Sequence, residues 1–238
     1  MFDVITSIMA HGAKALNIEL PPEAEAAFEM YYDFLEKHGQ LVNLTAISGA
    51  KDVARLHFLD SLALLNVTEF NHKSVIDIGS GAGFPGVPLL IAKPSINLTL
   101  LDATGKRINF LTALCELLGI KATFIKARAE EAAHMPDIRE SYDIVLSRAV
   151  APLNILCELC IPFVRIGGLS IAMKSVDSAE EVDEARSAIN ILGAELLSHA
   201  DYTIPGTETT HRAIVIRKAS NTKSELPRRY AKIKKSPL

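Results

Sequence analysis

Three glycines within five residues carry the strongest chemical signal in this chain. The run Val75-Ile76-Asp77-Ile78-Gly79-Ser80-Gly81-Ala82-Gly83-Phe84-Pro85-Gly86 reads as an apolar strand, a glycine-rich turn and a helix that restarts at Pro85. Glycine adopts φ > 0 freely and holds no side chain against a ligand, so this turn lets backbone amides approach a bound molecule closely. At the carboxyl end of a strand in an open parallel sheet, that is where ligands sit. The dinucleotide pattern G-x-G-x-x-G requires a glycine where Phe84 stands, and no G-x-x-x-x-G-K-[ST] phosphate loop exists. A nucleoside cofactor without a pyrophosphate fits better, with Asp77, Gly79, Ser80, Gly81, Gly83 and Phe84 around it. The alternative for the turn alone is a tight strand-to-helix connection with no ligand.

Asp102 closes the next strand, Asn97-Leu98-Thr99-Leu100-Leu101-Asp102, one βαβ step after the turn. A carboxylate there can accept both hydroxyls of a ribose, which suits NAD and S-adenosylmethionine equally. It could instead face the helix that follows as an N-terminal acid. Further on, Tyr142-Asp143-Ile144-Val145-Leu146-Ser147-Arg148-Ala149 ends a strand with an arginine at the mouth of the site. The Asn-Pro-Pro-Tyr-like element of base-amino methyltransferases is absent. A planar guanidinium beside a nucleotide-type cofactor is a plausible ligand or RNA contact, and elsewhere usually a surface ion pair.

Two features invite chemistry and have bland alternatives. Cys157 and Cys160 form a C-x-x-C, but it lies in an apolar helical stretch and no second Cys/His pair has metal spacing, so packing as small hydrophobes is expected and no metal site. His57 could touch substrate or be hydrogen-bonded within a helical region, and Asn43-Leu44-Thr45 could position RNA or cap a helix.

The elements that must hold these residues alternate. Residues 1–66 read as a helical cap, with near-helical apolar spacing at Ile5, Met9 and Leu16, at Phe28, Tyr31, Tyr32 and Leu35, and a further helix from about Ala50 to Leu65. Residues 67–218 alternate short apolar strands with helices, which predicts a mainly parallel sheet with helices on both faces. Thr104 is expected to cap one helix and Gly119 to end it. The last two strands, around Ile204-Pro205-Gly206, are expected to pair antiparallel.

Residues 219–238 read as a basic tail. From Arg217 to Leu238 there are eight basic residues against Glu225 alone, so the stretch from Arg217 is +7 while the whole chain is −3. The asymmetry suggests either a local polyanion contact or a solvated tail. At 49% hydrophobic and 22% charged, composition is that of a globular protein. No apolar run reaches membrane-spanning length. The N-terminal residues lack a secretory pattern, and an odd cysteine count fits a reducing, cytoplasmic setting.

The ordered set of motifs resembles the glucose-inhibited division protein B family, the ribosomal RNA small-subunit methyltransferase G enzymes. The matching elements are Asn43 to Ile47, His57-Phe58-Leu59-Asp60-Ser61, Asp77 to Gly86, Leu101-Asp102 with Lys106-Arg107, Arg128-Ala129-Glu130-Glu131, Ser147-Arg148-Ala149, Met173-Lys174 and Pro227-Arg228-Arg229 through Leu238. The resemblance implies a class I, Rossmann-like methyltransferase fold and S-adenosylmethionine-dependent N7 methylation of a guanine in the decoding-region 530 loop of 16S rRNA. It implies cofactor contacts at Gly79, Phe84, Ala129, Glu130 and Arg148, with Arg148 as the catalytic candidate. The expected partner is 16S rRNA or the small ribosomal subunit, approached by a monomer through Asn43, His57, Lys106, Arg107, Lys174, Arg228, Arg229 and Lys232. Guanine N7 has a free lone pair and no proton, so the reaction needs no general base. Two other readings are an NAD-dependent oxidoreductase and a non-enzymatic RNA-binding or assembly factor.

Overall fold

The computed structural model describes residues 2–38 and 47–238. Asn43, Leu44, Thr45 and Ala46 lie outside the described residues. Seven strands form one sheet: β1 (Ser74–Ile78), β2 (Asn97–Asp102), β3 (Thr123–Lys126), β4 (Tyr142–Arg148), β5 (Val164–Ser175), β6 (Ala194–Thr203) and β7 (Thr210–Lys218). Their order is β3-β2-β1-β4-β5-β7-β6. All pairs from β3 to β5 are parallel, while β7 runs antiparallel between β5 and β6, as expected for the closing pair. The chain order reverses direction across β1 and β4, so the glycine turn after β1 sits at the switch point of the sheet.

Both faces are covered, as the continuous apolar strands require. The helices α1 (Phe2–Ala15) and α2 (Ala24–His38) belong to the cap. A continuous helical stretch follows: α3 (Ala50–Val53), a π turn (Ala54–Leu59), α4 (Asp60–Leu62) and a 3-10 turn (Ala63–Asn66). The expected Ala50–Leu65 helix is present, but its register changes at the π turn that carries His57, a local irregularity of the kind often found at functional sites. The cap buries Phe28, Tyr31 and Phe58 in one cluster with residues of α5 (Gly86–Ala92) and α6 (Gly105–Leu118), so it shares its core with one face of the sheet.

The other face is covered by α7 (Ala129–Ala132), α8 (Leu153–Cys160), α9 (Ala179–Ile191) and α10 (Tyr230–Lys235), around a second cluster. Cys157 and Cys160 are buried in α8 as free thiols, and burial raises both above the usual thiol range, Cys160 to about 12. Among the described residues no group of side chains could hold a metal, and no helix is long and apolar enough to cross a membrane.

Two local expectations resolve differently. Gly119 ends α6 at φ 65° as expected, but the Thr104 side chain makes no capping bond; the Thr104 amide donates instead to Asp102 Oδ1 at 2.8 Å. The C-terminal segment does not trail free. Leu226 and Ile233 are buried, and Arg139 donates to the carbonyls of Thr222, Lys223 and Leu226. Lys218, fully buried, is held by Glu140 at 3.0 Å, and Arg228 forms a forked pair with the buried Glu158 of α8 at 2.6–3.2 Å.

Candidate active site

The turn after β1 adopts the strained geometry that called for glycine. Gly79, Gly81 and Gly83 have φ of 71°, 58° and 104°. Their surroundings differ. A Cβ on Gly81 would meet nothing nearer than Gly79 O at 3.8 Å, so this glycine borders open space. A Cβ on Gly83 would lie 2.7 Å from Tyr31 Oη and 2.8 Å from Val87, so Gly83 faces the cap. Tyr31 uses that closeness: its hydroxyl donates to Ala82 O at 2.6 Å, and its ring stacks on Phe84 at 5.3 Å.

Two concavities meet at this turn. One, about 610 Å³, is lined by Gly79, Ser80, Gly81, Phe84, His57 and Arg148, with Lys174 and His211 also on its wall. The other, about 210 Å³, lies over the ends of β2 and β3 and is lined by Asp102, Ala129, Glu130 and Tyr230. Gly79 and Arg107 belong to both. The cofactor candidates thus gather in one two-lobed groove, except Asp77 and Gly83, which lie beneath and behind the turn.

Asp77 is fully buried. Its Oδ2 accepts from Gly86 N at 3.0 Å, while Oδ1 has no hydrogen-bond partner. Burial lifts its carboxyl to about 7, against the opposing pull of the Gly86 amide and Arg148. Ser80 is buried, its hydroxyl donating to Asp77 O at 2.8 Å, which pins the turn. Asp102 Oδ2 accepts from Gly81 N at 3.2 Å and faces Arg107 at 3.3 Å. Arg107, read as an RNA contact, therefore bridges the two lobes beside the acidic residue.

The larger lobe is organised by Arg148. Its guanidinium reaches Asp60 Oδ2 at 3.1 Å, His57 Nδ1 at 2.9 Å and Leu56 O at 3.2 Å, and its Cζ lies 4.9 Å over the Phe84 ring. His57 stacks on the same ring at 4.5 Å. The next residue, Ala149, is held at φ 56°, an uncommon conformation for a residue with a Cβ and one that concentrates at functional sites. Asp60 is the hub: 1% exposed, it also accepts from Tyr202 Oη at 3.0 Å and pairs with His211 Nδ1 at 2.8 Å. Asp60, Tyr202 and His211 were not singled out by sequence reasoning, although Asp60 stood inside the matched His57–Ser61 motif.

Electrostatics separate the two histidines. Burial and the neighbouring Arg148 charge lower His57 to about 3, so it is neutral at physiological pH. The hydrogen bond to Asp60 raises His211 above its ordinary value.

The remaining RNA candidates scatter. Lys106, Arg229 and Lys232 are exposed. Lys174 lines the larger lobe, but its ammonium is engaged by Ala151 O at 2.8 Å and Glu181 at 2.7 Å. The Arg228 guanidinium is committed to Glu158.

Comparison with solved structures places this architecture. The [4+2]-cyclase SpnF superposes with a TM-score of 0.56 at 12% identity over 86% of this chain and 99% of that one. A candidate O-methyltransferase from Klebsiella pneumoniae gives 0.56 at 17% identity over 90% and 97%. At such identities these show the fold alone, that of class I methyltransferases. Sequence relatives are far nearer. The ribosomal RNA small subunit methyltransferase G of Alkaliphilus oremlandii is 42% identical over 98% of this chain and 99% of its own length. That of Bacillus subtilis is 40% identical over 95% and 96%. The GidB family model, described as rRNA small subunit methyltransferase G, matches residues 24–212. With a family model matching residues 24–212 and relatives about 40% identical over nearly the whole chain, the chain belongs to the rRNA small subunit methyltransferase G family.

Proposed function

We propose that the two-lobed groove binds S-adenosylmethionine and that the protein transfers its methyl group to N7 of a guanine in 16S rRNA. The observation that carries this reading is the meeting of the lobes at Gly79: one lobe suits a ribose and base, the other an amino-acid end and an incoming target. The residues fit such a ligand. Gly81 opens onto free space, and its amide donates to the Asp102 carboxylate that lines the smaller lobe at the end of β2. Phe84 stands where a dinucleotide site needs its third glycine, packed between Tyr31 and His57.

When bound, S-adenosylmethionine supplies a sulfonium methyl, so transfer is one in-line displacement: the N7 lone pair forms the new C–N bond and the C–S electrons return to sulfur. The chain's task is to orient and to stabilise. Asp60, His57 and the Leu56 carbonyl fix the Arg148 fork, which presents a preorganised donor set to the cleft. His57, stacked on Phe84, and the Arg148 guanidinium over the same ring line the lobe, and a purine seated against them has its N7 held at attack distance by position. Neutral His57 neither removes nor donates a proton in this scheme, which accords with an acceptor atom that carries none. Exposed Lys106, Arg229 and Lys232 are available to RNA phosphates.

Titration calorimetry with S-adenosylmethionine and with NAD tests the reading. Binding of the first and not the second is expected, and the reverse pattern would replace it with a nicotinamide site.

A further inference from the structure

The C-terminal segment, read from sequence as a basic RNA tail, is anchored with unusual care. Leu226 and Ile233 are buried on either side of Arg228. Arg228 donates from its backbone amide and its guanidinium to Glu158, a carboxylate with no exposure at all. His134 bonds Pro227 O at 2.8 Å. A buried ion pair of this kind contributes little net stability over an apolar contact, yet it fixes position strictly, because displacing either partner strands a charge. What it positions is the residue two places on. Tyr230, the first residue of α10, is half-buried and lines the smaller lobe together with Asp102, Ala129 and Glu130.

From this geometry we infer that Tyr230 is a cofactor-binding residue, forming the aromatic wall of the nucleoside lobe, and that the Glu158–Arg228 pair is the strap that sets it there. The inference rests on the reading of the groove as an S-adenosylmethionine site. The remaining walls of the lobe are aliphatic or polar, from Ile78, Leu101, Val150 and Leu159 to Glu130. A purine between an apolar floor and a tyrosine ring is favoured by stacking on the ring's π-face. The segment's exposed cations, Arg229, Lys232, Lys234 and Lys235, then face outward from a wall of the cofactor site rather than from a free tail.

The chain contains no tryptophan, which makes Tyr230→Trp a single-fluorophore reporter. S-adenosylhomocysteine and 5′-methylthioadenosine, which share only the nucleoside end, are titrated against it. The expected result is an emission change that saturates with both ligands at the concentrations set by calorimetry. Tyr230→Ala is expected to weaken both ligands by the same factor, roughly tenfold, with Tyr230→Phe close to wild type. Methylation by Glu158→Gln should show a raised KM for S-adenosylmethionine with kcat preserved, because the strap acts through position. Silent emission together with unchanged affinity in Tyr230→Ala, in a wild-type background that binds both nucleosides, would overturn the inference and leave the cofactor reading standing. A wild-type protein that binds neither nucleoside would sink the cofactor reading itself.

Discussion

Arg148 and Asp60 meet at 3.1 Å across the seam between the end of β4 and the cap, and the carboxylate is 1% exposed. The pair joins the cap to the sheet on the wall of the larger lobe. Truncating one partner of a buried pair leaves the other uncompensated, at a cost of about 3–5 kcal/mol. Asp60→Ala is therefore expected to lower the melting temperature strongly. Arg148→Lys should fold, because charge is kept, and yet methylate at least about tenfold more slowly, because an ammonium cannot serve Asp60, His57 and the Leu56 carbonyl in one plane. A fully active lysine variant would show that charge alone suffices.

The glycines of the turn are not equivalent. Gly81→Ala meets only the conformational cost of a left-handed residue, about 1–2 kcal/mol, and intrudes on the groove, so cofactor affinity should fall with the fold intact. Gly83→Ala adds a collision with Tyr31 Oη and Val87, for roughly 1–3 kcal/mol more. Calorimetry and thermal denaturation on both variants check this; equal stability losses would contradict the assignment of Gly83 to the cap contact.

Asp102 and Arg107 divide their roles. Asp102→Ala should weaken S-adenosylmethionine binding by about 1–3 kcal/mol, the scale of lost hydrogen bonds to a charged group. Arg107 is partly exposed in its pair with the buried Asp102, which also accepts from the Thr104 and Gly81 amides. Arg107→Ala should weaken cofactor affinity less than Asp102→Ala does and reduce the slope of log RNA affinity against log salt by about 0.7–0.9. An unchanged slope would remove Arg107 from the RNA contact.

The two histidines respond to pH in opposite directions. His57 is lowered from 6.5 to about 3, so the unfolded chain takes up a proton that the folded one refuses, and stability is lost as pH falls from about 6.5 toward 3. His211 is raised, so its contribution is complete below about 6.5 and disappears as pH rises through its folded value. Imidazole titration by NMR should find His57 unchanged between pH 5 and 8, and His211 with a midpoint above 6.5. In His57→Gln the stability lost between pH 7 and 5 should shrink by about 2 kcal/mol. A His57 midpoint near 6.5 would contradict the buried, neutral assignment.

Much of this architecture is local in origin, and such features were legible in the sequence. The alternation of strands and helices, the turn at Gly79–Gly83, the end of α6 at Gly119 and the antiparallel β6–β7 pair follow from periodicity and backbone chemistry within about two dozen residues. The Asp60 hub was not legible, because its partners Tyr202 and His211 lie 142 and 151 positions away. Nor can composition tell a free cation from a committed one. Lys218 and Arg228 look like free cations in a charge count, and only tertiary structure brings Glu140 and Glu158 to them. The same applies to Tyr230, whose place beside Asp102 depends on how the C-terminal segment is strapped to α8.

The central claim is a methyl transfer to guanine N7, and it is tested most directly by mapping 7-methylguanosine in 16S rRNA. Small subunits from cells lacking this protein are incubated with S-adenosylmethionine and either wild-type protein or Arg148→Ala. The account predicts one new 7-methylguanosine with the wild-type protein, in the 530 loop, and none with the variant. A wild-type reaction that leaves N7 unmodified, or an Arg148→Ala protein that methylates as well as wild type, would contradict it.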